Sequence, residues 1–287
     1  MAHIKQFAIT FFNLKLWKED KGHNSTRTES WLDGRFRLFE KYCLPSMQQQ
    51  TLQDFIWLCL FDKNTPEKYL GKIKKYSESS RQFTPVFLSE EQTADKECTM
   101  HQIVQQHLKG NEIFIITTNI DNDDAIRFNM LERVRESVEN QMKKDMSAVT
   151  GLYNCMYGLQ YFTRNNMIIS MLYPHNHFQT LCEKPDNFKT IKGFSHTSIR
   201  KMFANHDITD NGKPYWMEIV HEHNVNNNYR ADIRLRNIPI FKSIDLKDFG
   251  QDLKFSALKN SVNSIFVMPC FFAAAAFRGI IRHLKKS

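Results

Sequence analysis

Glu112-Ile-Phe-Ile-Ile-Thr-Thr-Asn-Ile-Asp121-Asn-Asp123-Asp124-Ala125 decides how this chain folds, because an apolar, β-branched run stops abruptly at three carboxylates packed into four positions. Residues 113–118 are too short for an independent helix and rich in Ile and Thr, so they predict a buried strand. Its end lifts the acids to the carboxyl edge of a sheet, where open α/β folds bind ligands. Hard divalent cations such as Mg²⁺ or Mn²⁺ take oxygen ligands from one or two carboxylates together with substrate phosphates. Asp121 and Asp123 alternate at strand spacing, so both can face one ligand while Asn122 points away. The same acids would also suit a solvated loop that caps a helix beginning near Ile126. Their position directly after a buried strand favours the ligand site.

Upstream, strand and helix signals alternate. Ile4–Phe12 predicts a strand, and a helical pattern over 28–49 has apolar residues at Trp31, Leu32, Phe36, Leu38, Phe39 and Tyr42. Phe55–Phe61 predicts a second strand, ending at Asp62 before a Thr65-Pro66 helix start. A charged helix over 66–80, a strand over 85–88 and a helix over 99–109 stopped by Gly110 lead into the acidic strand. This order predicts an α/β fold with a mostly parallel, Rossmann-type sheet and helices on both faces. A helix is expected from Ala125 to about Lys144. Beyond it, 148–153, 159–162 and 167–172 read as short strands of antiparallel character. The Asn- and His-rich stretch 173–235 reads as active-site loops.

The chain has 287 residues, and 41% hydrophobic content is enough for a sizeable core. Its six cysteines (Cys43, Cys59, Cys98, Cys155, Cys182, Cys270) lack Cys-x-x-Cys pairing, which predicts reduced thiols in a cytoplasmic protein, without a disulfide frame or zinc site. No secretory signal precedes the first strand. A formal net charge of +8 points to an anionic partner. The apolar stretch 264–277, broken by Pro269 and followed by Arg278, Arg282, Lys285 and Lys286, is shorter than the roughly 20 residues a bilayer span requires. It is either an interfacial segment on an anionic membrane or a buried helix with a basic end. No Gly-x-Gly-x-x-Gly run and no Gly-Lys-Ser/Thr loop is present, which argues against a dinucleotide oxidoreductase and a P-loop kinase.

Trp31-Leu-Asp-Gly-Arg-Phe-Arg-Leu-Phe-Glu40, Leu44-Pro-Ser, Phe55-Ile-Trp-Leu-Cys-Leu-Phe-Asp62, Ile120-Asp-Asn-Asp-Asp-Ala125 and Trp216-Met-Glu-Ile-Val-His221 with Asn224-Val occur in that order. Together they resemble the bacterial putative rhamnosyltransferase family, nucleotide-sugar glycosyltransferases of the glycosyltransferase-A fold, over roughly residues 4–245. The chain departs from the family pattern at Asn119-Ile120 and at Glu222-His223, so its donor need not be that of other members. The expected organisation is a nucleotide-sugar-binding α/β half over 1–145 and an acceptor-side half with active-site loops over 146–250, followed by a C-terminal segment over 251–287 whose apolar and basic composition suits a helix that can contact a membrane. The resemblance further implies that Asp121 approaches the ribose or sugar, that Asp123 holds Mn²⁺ or Mg²⁺, and that Asp124 is a second ligand or a structural acid.

Asp62, at the same sheet edge, either accepts a hydrogen bond from the nucleobase or caps the following helix. His221, after the strand-like 215–220, is a candidate metal ligand or diphosphate contact, since imidazole suits Mn²⁺. His221 and His223 share a strand face but lack the third ligand a zinc site needs. Arg230 and Arg234 are candidates for neutralising diphosphate. Inverting transfer requires a carboxylate to deprotonate the acceptor. Glu183 and Asp207 are the first candidates, Glu218 and Glu222 weaker ones, and a retaining mechanism would need none. The histidines His175, His177, His196 and His206 are either acceptor contacts or bystanders.

The function expected is metal-dependent transfer of a hexose or deoxyhexose from a nucleoside diphosphate sugar to a glycan acceptor carried on a lipid diphosphate, in surface polysaccharide synthesis at the inner face of the plasma membrane. A metal-dependent phosphohydrolase or nuclease would gather more ligands for a second ion. No second tight acidic cluster is visible, and nucleic acid is not expected as a partner. A non-catalytic nucleotide-sugar-binding module is the third reading.

Overall fold

A computed structural model describes residues 3–221 apart from 17, 21–24, 27 and 165, together with 237–239, 245–252, 256, 258–262 and 265. The expected alternation is present. β1 (Ile4–Phe11), β2 (Ile56–Asp62), β3 (Phe83–Leu88) and β4 (Phe114–Asn119) are parallel neighbours in the order β4-β1-β2-β3. β1, β2 and β4 are buried along nearly their whole length because they are covered on both faces.

One covering layer is α1 (Glu29–Leu38), a wide π turn over Phe39–Cys43, and α2 (Leu44–Gln48). This corresponds to the single helix expected over 28–49, locally expanded. Pro45 supplies no N–H and its ring would crowd the preceding turn, and the expansion, in which the Leu44 N–H reaches back to the Phe39 carbonyl, relieves that conflict. Phe12, Phe36, Phe39 and Phe61 interlock beneath it, with Tyr69 of α3 (Glu67–Ser79) stacked flat on Phe36 at 4.5 Å. The other face is closed by α4 (Glu90–Ala94) and α5 (Lys96–Gln105), whose Met100, Ile103 and Val104 pack against β1 and β4 residues.

The helix expected from Ala125 begins instead at Met130, as α6 (Met130–Lys144). Ala125 and Ile126 form a short strand, β5, antiparallel to Met217 and Trp216. The Ile126 N–H is also taken by the Ser46 hydroxyl and the Arg127 N–H by the Tyr215 carbonyl, so tertiary partners outbid helical propensity over these residues.

The later strands divide between two sheets. β6 (Gly151–Cys155), β9 (Thr180–Glu183) and β10 (Asn205–Ile208) extend the first sheet to seven strands, in the order β10-β6-β9-β4-β1-β2-β3, with β9 antiparallel to both β6 and β4. β7 (Tyr157–Phe162), β8 (Met167–Leu172), β11 (Trp216–Val220) and β12 (Asn237–Pro239) join β5 in a second sheet of order β12-β8-β7-β11-β5. Gly158 has no side chain because Trp216 lies against it: a Cβ there would fall 2.0 Å from the indole. The five described cysteines are free thiols, four of them buried. No helix among the described residues is long and apolar enough to cross a membrane.

Candidate functional site

The acidic stretch is one of the chain's crossings between the two sheets. The chain leaves the first sheet at Asn119 and enters the second at Ala125, so residues 120–124 form a turn at the carboxyl edge. Side chains fasten it. Asn122 donates to the Phe12 carbonyl at 2.7 Å, and Asn119 donates to the His177 carbonyl at 2.6 Å. On the far side runs β11, which pairs with β5 and then continues beside the turn. Its Ile219 N–H donates to Asp124 Oδ1 at 2.7 Å, and two residues later His221 Nε2 stands 2.9 Å from Asp123 Oδ2.

Asp123 and His221, expected to share a ligand, are therefore brought together. They are joined by a residue the sequence reading did not single out. Arg35 of α1 reaches Asp123 Oδ2 at 2.5 Å and Asn122 Oδ1 at 3.3 Å, with both side chains of the ion pair buried. Burial alone would raise the Asp123 carboxyl, but Arg35 and then His221 outweigh it and hold it well below the usual carboxylate range. Asp123 is thus a committed anion.

A second cluster lies on the other side of the turn. Asp121, Asp124 and His177 each offer a ligand atom, all within 4.8 Å of one another. His177 Nε2 is 2.7 Å from Asp124 Oδ2 and 3.8 Å from Asp121 Oδ2. Burial would lower the imidazole, but Asp121 and then Asp124 hold it well above the usual histidine range. Burial, with Asp123 beside it, pushes the Asp124 carboxyl up. Both Asp124 oxygens have hydrogen-bond partners, Oδ1 accepting from the Ile219 N–H and Oδ2 facing His177 Nε2. Two carboxylates and one imidazole, with Asp121 still half-exposed, fit a divalent cation of the Mn²⁺ or Mg²⁺ type. His177 would have to give up its proton to serve as a ligand.

Asp62 closes β2 at the same edge and borders an open cavity of about 400 Å³ lined also by Lys15, Glu90, Thr93 and Lys96. It accepts from the Asn64 N–H at 2.6 Å and lies 3.6 Å from Lys15 Nζ, so it ties the turn after β2, whereas the expected cap on the following helix is not made: α3 starts after Pro66 without a side-chain cap.

The candidate bases are not brought to the acids. Glu183 pairs with Ile115, at the opposite end of β4 from the acidic turn. Its buried carboxylate accepts the Lys189 and Thr190 N–H groups, each at 3.0 Å. Asp207 lies on the outermost strand β10, three strands from β4, and is held by a two-pronged contact from Arg200 at 2.7 and 2.9 Å. His206 stacks on Tyr153 of the neighbouring strand. Arg230, Arg234, Asn224 and the segment 266–287 lie outside the described residues.

Arg35 left a trace in the sequence: it shares the spacing of Leu32, Phe36 and Phe39, so a cation occupies a core-facing helix position. His177 left none, because nothing in 173–179 marks one histidine over another.

Residues 18–233 match the family described as Putative rhamnosyl transferase. The chain belongs to that family. The sheet order and the acidic turn at the end of β4 accord with the glycosyltransferase-A-like fold expected of the Putative rhamnosyl transferase family. No curated protein matches the chain. Among solved structures it is similar to S. aureus TarS residues 1–349, at 9% identity and a TM-score of 0.42, and to the same protein in complex with UDP, at 11% and 0.41. In both cases 75% of this chain aligns with 60% of the solved chain.

Proposed function

We propose that the chain transfers a hexosyl or deoxyhexosyl group from a nucleoside diphosphate sugar to a glycan acceptor. The observation that carries this reading is the acidic turn joining the two sheets, with Asp121, Asp124 and His177 gathered on one side of it and Asp123, His221 and Arg35 on the other. Membership of the Putative rhamnosyl transferase family supports it. Among the described residues only one cluster of three potential metal ligands is present, which favours transfer over two-metal hydrolysis.

The work of the chain divides along the sheet edge. Asp62 accepts a hydrogen bond from the nucleobase. Asp121, half-exposed, orients ribose or sugar hydroxyls. Asp123 is kept ionised by Arg35 and held in place by it, so its charge stays fixed while substrate charges change. Bound at Asp121, Asp124 and His177, Mn²⁺ or Mg²⁺ would supply positive charge against the departing diphosphate. Arg230 remains a candidate for the same diphosphate. For the acceptor side, Glu218 replaces Glu183 and Asp207 as the carboxylate of interest. It lies on β11 beside the turn, is bonded by Gln160 at 2.6 Å, and its charge is felt by His177.

A lipid-diphosphate-linked glycan acceptor, used in surface polysaccharide synthesis at the inner membrane face, is supported by the net charge of +8 and the apolar and basic stretch 264–287. Deleting 264–287 is expected to release the protein from anionic vesicles while leaving donor binding intact. Retained vesicle binding would remove that part of the proposal.

The central test is calorimetric titration with UDP, GDP and dTDP, with and without Mn²⁺, on the wild type and on Asp121→Asn. The expected result is metal-dependent binding of one nucleotide, lost in the variant. Absence of binding to all three in the wild type would overturn the reading.

A further inference from the structure

Lys192 is an unusually placed cation that the roles above do not use. It sits in the single 3₁₀ turn Ile191–Gly193 that follows β9, and its ammonium lies over the Phe11 ring, 4.3 Å from the centroid. Phe11 is the last residue of β1, and β1 is the strand between β2, which ends at Asp62, and β4, which ends at the acidic turn. The ammonium therefore stands above the middle of the carboxyl edge. Asp121 on one side stabilises its charge, and Lys96, which lines the Asp62 cavity, opposes it from the other.

Among the described residues no carboxylate pairs with Lys192, whereas nearby Lys15 bonds Glu90 and Lys189 bonds Glu97. Burial drops its pKa to about 8, the mark of a cation short of partners. A lysine that only covered apolar surface would extend its ammonium to water.

The turn carrying it is built rigidly. Glu183 clamps the Lys189 and Thr190 N–H groups, and the Ile191 N–H donates to Thr117 Oγ1 at 2.8 Å. The Phe188 carbonyl meets His101 Nδ1 at 3.0 Å, and Ile191 is anchored in the core. Thr190 is held at φ 64°, ψ 161°, a region that β-branched residues avoid and that persists only where the surroundings enforce it. The buried acid that sequence reasoning offered as a base is thus a support for this turn.

We propose that Lys192 receives the diphosphate of the nucleotide donor, spanning the gap between a nucleoside seated at Asp62 and the sugar held at Asp121. This rests on the donor reading above. An ammonium without an acid partner, fixed between a base-side acid and a sugar-side acid, meets the one part of a nucleoside diphosphate sugar that carries negative charge.

The test compares wild type, Lys192→Met and Lys192→Arg by calorimetry with uridine, guanosine and thymidine and with their 5′-diphosphates, all in Mg²⁺. Thermal melts of each variant confirm folding. For the diphosphate that the wild type binds, Lys192→Met is expected to weaken affinity by about ten- to a hundredfold, as for loss of a charged hydrogen bond. Binding of the matching nucleoside should be unchanged, and Lys192→Arg should recover most of the loss. Equal affinity of wild type and Lys192→Met for the diphosphate overturns the assignment while leaving the donor reading intact. Equal weakening of nucleoside and diphosphate overturns it in favour of a role in shaping the pocket. A wild type that binds none of the diphosphates overturns the donor reading itself, and the assignment with it. Should Lys192→Met fail to fold, Lys192→Gln is read against the same outcomes.

Discussion

Replacing Lys192 by Met should make the ligand-free protein more stable. The lysine places a charge beneath partly buried surface with no acid partner among the described residues, and burial lowers its pKa from 10.5 to about 8. At about 1.36 kcal/mol per tenfold, that gap corresponds to about 3 kcal/mol of cost at neutral pH. The side chain keeps some solvent contact, so about half of this, on the order of 1–2 kcal/mol, is the expected gain for Lys192→Met, which retains the apolar stem. For a chain of this size the melting temperature should rise by about 2–6 °C. The pH dependence has a definite sign. A lysine whose folded pKa is depressed costs stability in full below about pH 8, and the cost fades as pH climbs from there through 10.5, above which both states are neutral. Calorimetric melts of both proteins from pH 6.5 to 10 should therefore show a difference that is largest at neutral pH and shrinks on the alkaline side. The interactions of the ammonium with Asp121, Lys96 and Cys59 are already contained in that lowered pKa and are lost together with the charge in the variant. A variant less stable than wild type at pH 7, or a gap that does not change with pH, would refute the reasoning.

Arg35→Met should cost about 3–5 kcal/mol, because it leaves Asp123 buried without its guanidinium, and urea denaturation would measure it. A midpoint unchanged from wild type would mean that the ion pair is not formed in solution. Glu183→Gln should lose about 1–3 kcal/mol of stability by weakening the clamp on Lys189 and Thr190, yet keep turnover within tenfold. Loss of kcat by a thousandfold with an unchanged melt would restore Glu183 as a base. Gly158→Ala should be insoluble or melt at least 10 °C lower, since its Cβ would overlap the Trp216 indole. A wild-type circular dichroism melt for that variant would contradict the packing of β7 on β11.

The parts of the fold that could be read from the sequence are those whose physics is local. β1, β2 and β4 are covered on both faces, so they are buried along nearly their whole length, and β2 and β4 end at polar residues, Asp62 and Asn119, that mark the sheet edge. The acidic turn was legible for the same reason. What could not be read depends on partners far along the chain. Ala125 and Ile126 look helical until Met217 and Trp216 arrive to pair with them. β9 has only four residues, and its place between β4 and β6 is written in their complementary edges and not in its own pattern. Asp123 and His221, which both flank strand-like runs, do lie 2.9 Å apart, although the potential metal ligands gather at Asp121, Asp124 and His177. His177 reaches the acids through a loop, where no periodicity reports direction. Glu183 has the composition of a catalytic acid, and only its bonds to Lys189 and Thr190 show that it is occupied elsewhere.

The insertion of β9 beside β4 bears on how this enzyme family can be recombined. A crossover at residue 145, the natural seam on the sequence, would set the buried Ile115, Ile116 and Thr117 of β4 against a β9 from the other parent, and a poor match there would open that edge to aggregation. It would also separate Asp121 from His177, and Phe11 from Lys192. The acidic turn and the residues that contact it are therefore not a cassette that can be grafted from a relative as one contiguous block. Chimaeras should exchange the short stretches 176–193 and 119–126 together, keeping both sides of the β4–β9 seam from a single parent.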